Sequence, residues 1–353
     1  MTAPAVVVAA AGAVTPVGLS LVETAAAARA RVARLREIDW LDRRFEPFVV
    51  GTVPDAGLPA LAPTLAALPL QSREARMLRL AHAALEEALA PLGPEAAPVP
   101  LLLGLPEHHT TQPLDAAGFL QRLAQQAGGA IALEASAAAP RGRAAALLAL
   151  RGAQDLLQQG NHPFVLVGGV DSLVDLYVLG TLDQQGRIRN ELNSDGFSPS
   201  EGAAFVLLAL AGTAQAHGLA PLARVHGAGR GHEAGHCYAE APYLGEGLAG
   251  AVAQLLAEAP PAQPIGCVWA SFNGERYWAR EFGVTRLRHA AAFAPEQTME
   301  HPAECFGDLG AAHGAALLAL AAHGVGRGYR AAPCLVYASS DHGERAATLL
   351  DAA

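Results

Sequence analysis

Three stretches of the sequence crowd together residue types that could do chemistry. The run NGERYWAREF at 273–282 mixes carboxylates, arginines and aromatics, and DHGER at 341–345 adds a histidine to the same blend. The third, GHEAGHCY, sets His232 and His236 four apart with Cys237 alongside. On a helix, histidines at that spacing share a face and can ligate a metal. Glycines at 231 and 235 argue against a helix here, and no further ligand pair is evident, so a loop without metal is expected. His108 and His109 are expected on the surface. His313 and His323, in an alanine-rich helical stretch, read as packed or surface residues rather than ligands.

The residue types that are missing narrow the chemistry further. The chain has 353 residues, and all 24 of its basic side chains are arginine. An arginine cannot form a Schiff base, so pyridoxal-phosphate, lysine-aldolase and Walker A chemistry are excluded, and no cofactor is expected. A formal charge of −9 argues against a nucleic-acid partner. Cys237, Cys267, Cys305 and Cys334 form no CxxC pair and read as reduced thiols. The apolar start lacks the basic flank of a signal peptide, and no apolar run is long enough to span a membrane. A cytoplasmic location is therefore expected.

Strand and helix signals alternate along the chain, which predicts a layered α/β architecture. Strands are expected at 6–11, 99–104, 164–167 and 203–210. Helices are expected at 20–36, 74–89 (with Ser72 as N-cap) and 143–159, and loop or broken helix at 54–69. A second series follows: strands at 223–226, 267–271 and 334–338, with helices at 248–256 and 310–323. A seam near 212–222 separates the two, giving halves of 1–215 and 216–353.

Four ordered segments carry a resemblance to the β-ketoacyl synthases of the thiolase superfamily. The start VVVAAAGAVTPVG is similar to the family's opening strand and turn. Gly160 with FVLVGGVDS matches its helix end, strand and GG-x-[DE]-[SA]. NSDGFSPSEGAA at 193–204 is similar to DGFxxGEGA, and GDLGAA at 307–312 to GHxxGAAG. The resemblance implies a thiolase-like αβαβα five-layer fold of two pseudo-equivalent halves, and a homodimer as the usual assembly. The chain is shorter than a typical member, with the losses expected between 104 and 131, where cap and dimer-interface elements lie.

A condensing member needs a cysteine at a buried helix N-terminus and two histidines. Aligned on those segments, Arg143 stands at the cysteine's position, Asn273 and Asp308 at the two histidines', and Ala303 at the family lysine's. Ser136 is the alternative nucleophile under a gapped alignment. The segment at 341–345 replaces the family's glycine-rich closing loop. Arg143, Glu275, Arg276, Asp308 and His342 form the candidate binding set. Two readings stay open: an ion-pair plug of Arg143, Asp308 and Glu275, or an anion pocket in which Arg143 and Arg276 receive a carboxylate or phosphate.

The resemblance thus implies a non-condensing accessory or adaptor protein that binds a protein partner, acyl-CoA or an acyl carrier protein. PRGRAA, NGERYW and GDLGAA add a fainter likeness to short ketosynthase-like proteins found beside bacterial secretion-effector genes. One alternative is a partner subunit of a ketosynthase, like a chain-length factor, which also lacks the cysteine. Another is an acyltransferase with a non-standard nucleophile.

Overall fold

The computed structural model describes residues 4–108 and 113–353. The first half runs β1 (Val6–Val14), α1 (Leu21–Arg29), a hairpin of β2 (Arg36–Leu41) and β3 (Pro47–Val50), α2 (Pro63–Ala66) and α3 (Ser72–Leu89). It continues through β4 (Leu101–Gly104), α4 (Ala116–Gln126), β5 (Ala137–Ala139), α5 (Ala145–Gln159), β6 (Phe164–Ser172), α6 (Leu176–Gln184) and β7 (Glu201–Leu210). After α7 (Ala211–Ala216) come β8 (Ala223–Val225), β9 (Gly229–His232), α8 (Glu246–Glu258), β10 (Ile265–Ala270) and α9 (Arg276–Arg288). The chain ends with β11 (Phe293–Glu300), α10 (Ala303–Phe306), α11 (His313–Gly326), β12 (Cys334–Ser339) and β13 (Glu344–Asp351).

The strand order shows the internal repeat directly. One side of the large sheet reads β5-β4-β6-β7-β1 and the other β11-β10-β12-β13-β8. Leaving aside the separate β2–β3 hairpin and β9, which pairs with β13, each half places its third, second, fourth, fifth and first strands side by side. The directions match too. β4 is parallel to β5 and β6 as β10 is to β11 and β12, while β7 and β13 run antiparallel to their neighbours. β8 bonds to both β1 and β13 and joins the halves.

Each layer follows from its sequence. FVLVGGVDS makes β6 buried along its whole length, as a strand covered on both faces must be. α3 buries Met77, Leu78, Ala81, Ala84, Leu85 and Ala88, a helical stripe laid on the outer face of the first half. α8 covers the outer face of the second half. α11 is apolar nearly all round and, with α5, fills the layer between the halves. The five layers αβαβα result.

Two glycines bring the central helices together. A Cβ at Gly314 would lie 2.3 Å from the Arg143 carbonyl oxygen, so only glycine lets α11 cross the head of α5 so closely. Gly310 has φ +53, a left-handed conformation that starts the helical turn ahead of α11.

Some local expectations change. Helix α1 stops at Arg29, and Ser72 is the first helical residue of α3, with Gln71 as N-cap. The 104–131 stretch, where the losses are expected, carries α4. The 54–69 stretch contains α2. The hairpin, α6 and β13 have no counterpart in the sequence reading. His108 is exposed, and His109 lies outside the described residues. No helix among the described residues is long and apolar enough to cross a membrane.

Candidate functional site

The site lies where the heads of α5 and α11 meet. Arg143 sits in the turn just before α5 and is buried. Its Nε donates to both Asp308 oxygens at 3.0 and 2.9 Å, and its Nη2 to Asp308 Oδ2 at 2.5 Å. Nη1 donates to Asp341 Oδ1 at 2.6 Å. Asp341 also receives Arg187, through Nη1 at 2.7 Å and Nη2 at 3.2 Å. Arg187 then makes a two-point contact with Glu275, Nε and Nη2 each at 2.8 Å.

Neutral donors complete the chain. Asn273 Nδ2 donates to Asp308 at 2.8 Å and to Glu275 at 3.0 Å, and Trp278 Nε1 donates to Glu275 at 2.9 Å. The Gly310 N–H adds a fourth donor to Asp308 at 2.9 Å. Trp278 lies between two guanidinium groups, Arg143 at 5.5 Å and Arg345 at 5.4 Å from its ring. Arg345 forms a second buried ion pair with Glu281.

The electrostatics agree with the geometry. Burial alone would push Asp308 up, but Arg143, His313 and Asn273 outweigh it and hold the carboxyl at about 2. Asp341 is likewise held well below the carboxylate range, because Arg143 and Arg187 overcome its burial. Both arginines are raised well above their usual value by these carboxylates, against the opposing effect of burial. Burial lowers His313 to about 4, so its imidazole is neutral beside Asp308.

Asp308 is saturated by donors and ionised. The nearby thiol of Cys237 is pushed up to about 12 by burial and by Asp341, so it carries no thiolate at neutral pH. The N–H of Ala144 at the helix head is taken by Ser340 Oγ at 2.9 Å. The N–H groups of Asp341 and His342 both donate to Glu107, at 3.0 and 3.2 Å. A cavity of about 40 Å³ remains between Arg143 and α6, bordered by Pro106, Leu173, Val178, Leu182 and Phe197. It has room for about three waters.

Of the sequence candidates, Arg143, Asn273, Glu275 and Asp308 converge, and His342 stands at the rim with its Nδ1 3.5 Å from Glu107. Arg276 does not join them. It is exposed and binds Asp195 through its backbone N and Nε, both at 2.7 Å, so it cannot share an anion with Arg143. Ser136 is held by backbone: its Oγ accepts from Leu101 N and donates to Ala132 O, both at 2.8 Å, leaving no base to activate it. His232 and His236 lie in β9 and the loop after it, and no group of three ligands suited to a metal occurs among the described residues. Sequence reasoning missed Arg187 and Glu107, which stand alone without a motif, and it marked GHEAGHCY without singling out Tyr238. It marked the segment holding Asp341 without singling out that carboxylate.

No family model matches the sequence, and no curated protein matches it. Solved structures do. The ishigamide ketosynthase/chain length factor superposes with a TM-score of 0.79 at 17% identity, covering 100% of both chains. A ketosynthase in complex with its chain length factor from Xenorhabdus doucetiae gives 0.77 at 16%, again over 100% of both. A type II PKS acyl-carrier protein in complex with its ketosynthase gives 0.79 at 16% over 100% of both. At such identities the likeness establishes the fold: the chain is a thiolase-like α/β protein with the architecture of the β-ketoacyl synthases.

Proposed function

We propose that this chain is a non-condensing ketosynthase-like subunit that acts by binding, as the partner of a cysteine-bearing ketosynthase. The observation that carries the reading is the Arg143 guanidinium at the head of α5, saturated by Asp308 and Asp341. A condensing enzyme of this fold needs a thiol there and imidazoles opposite it. Here a cation is locked to carboxylates, and the helix-head N–H is already taken. The ion-pair plug is favoured over the anion pocket because every donor-bearing nitrogen of Arg143 is occupied from within the chain.

Several of the solved neighbours are ketosynthases in complex with a chain length factor or an acyl-carrier protein. That supports a ketosynthase-like subunit or a carrier protein as the partner class. The same neighbours lend no support to a secretion-effector partner.

The test is co-expression with a cysteine-bearing ketosynthase encoded beside this chain, followed by native mass spectrometry and incubation with acyl-CoA. The expected result is a heteromer in which the ketosynthase gains the acyl mass and this chain does not. A covalent acyl adduct on this chain, or a homodimer that ignores the ketosynthase, would overturn the reading.

A further inference from the structure

Residues 233–244, between β9 and α8, form a strap without helix or strand that lies across the loop at 340–343. Few bonds pin it. Glu233 N donates to Gly343 O at 2.8 Å and Cys237 N to Asp341 O at 3.2 Å. Tyr277 donates its hydroxyl to Gly235 O at 2.8 Å. The Tyr238 hydroxyl accepts from Arg187 at 2.9 Å and donates to Gln185 at 3.0 Å, tying the strap to the buried network.

Three imidazoles meet at this seam. The His236 ring lies 5.6 Å from His342 and 6.4 Å from His232, and His342 stacks on Tyr238 at 4.8 Å. The N–H of Tyr238 donates to His236 Nδ1 at 3.3 Å, which requires that nitrogen to be unprotonated. We propose that 233–244 is a pH-sensitive strap, released from the 340–343 loop when His236 is protonated between His232 and His342, so that Cys237 and the Arg187–Asp341 pair are uncovered.

The groups facing His236 come from every element around it. They are His232 on β9, His342 and Asp341 on the 340–343 loop, and Arg345 on β13. Glu107 faces His342 from the stretch after β4, and the Arg141–Glu344 pair borders the same opening. Of the groups just named around His236, Asp341 favours an imidazolium, and it is already engaged by two arginines. Burial first, then His342, His232 and Arg345, hold the His236 pKa below its ordinary value in the closed strap. The released ring returns to about 6.5. Closure is therefore complete above about pH 6.5 and is lost as pH falls toward the lowered closed-state value. This inference concerns the strap and stands whether or not the chain pairs with a ketosynthase.

The test measures labelling of Cys237 in the full chain by dithiodipyridine, relative to a small free thiol at the same pH, with peptide-resolved mass spectrometry to exclude the buried Cys267, Cys305 and Cys334. From about pH 7.5 to about 5.5 the ratio is expected to rise steadily, because the closed strap holds His236 below its ordinary value. His236→Asn keeps an acceptor for Tyr238 N but does not titrate, and should show no rise. A flat wild-type ratio, or an equal rise in His236→Asn, overturns the proposal. Should that variant fail to fold, His232→Asn removes one repelling ring and must reduce the rise; an undiminished rise overturns the proposal equally.

Discussion

Arg143 and Asp308 stand 165 positions apart, yet they meet through three charge-assisted hydrogen bonds at the crossing of the two central helices. One ion belongs to the head of α5 and the other to the turn before α11, so the pair ties the two repeated halves together. The close approach depends on Gly314, which lets α11 pass beside the Arg143 backbone.

Because each ion satisfies the other, removing one alone should cost more than removing both. Arg143→Leu leaves Asp308 and Asp341 buried with reduced compensation and should lower stability by about 3–5 kcal/mol. Arg143→Leu with Asp308→Leu should recover part of that loss. Urea denaturation of both variants checks this, and a double variant no more stable than the single one contradicts it.

Restoring a cysteine should not restore chemistry. In Arg143→Cys the thiol would face two buried carboxylates without a cation between them, and both burial and like charge oppose a thiolate. Incubation with acyl-CoA is expected to leave the intact mass unchanged. An acyl adduct at position 143 would show that the surroundings remain competent.

Much of this site can be read from the sequence because motif register fixes it. Arg143, Asn273, Glu275 and Asp308 each sit at a set distance from a glycine-rich turn, and they converge. Arg187 and Asp341 bond across 154 positions, and such long-range pairs leave no spacing to detect. Arg276 shows the limit of reading neighbours together. Helix α9 starts there with Glu275 as its extended N-cap, so the backbone changes direction between the two: Glu275 bonds Arg187 inside while Arg276 binds Asp195 at the surface. β13 escaped for a related reason. Its opening Glu344-Arg345 falls in the 341–345 segment that reads as a replaced closing loop, but Arg345 is fully buried against Glu281, and a charge that is paired inside a strand looks like a loop in one dimension.

The pH dependence of folding separates two buried groups. His313 has a folded pKa of about 4, below the ordinary value of about 6.5, because burial disfavours its cation. The unfolded chain takes up that proton first. Stability from neutral His313 is thus complete above about pH 6.5 and declines toward pH 4, by about 3 kcal/mol in all. Asp308, held at about 2, adds its own loss only below about pH 4. His313→Asn offers Leu309 N an acceptor in place of His313 Nδ1 and should flatten the first decline; the second should shrink but persist, because His313 is one of several groups that hold Asp308 down. Denaturation midpoints across this pH range provide the check.

Two glycine-to-alanine changes should move stability in opposite directions. At Gly310 the backbone is left-handed, and an added Cβ would come within 2.1 Å of Asp171 Oδ2. That oxygen accepts from Ala311 N at 2.8 Å, while the other carboxylate oxygen binds Arg73 at 2.8 Å. Gly310→Ala must therefore strain the turn or displace a buried carboxylate from both partners, for a loss of about 2 kcal/mol or more. Gly283 lies inside α9 with no atom near its missing Cβ. Gly283→Ala removes backbone freedom from the unfolded chain without a clash and should gain about 0.5–1 kcal/mol. Thermal melts of the two variants beside the parent would settle both signs, and a tolerated alanine at 310 would mean that the head of α11 is looser than the Asp171 and Arg73 contacts imply.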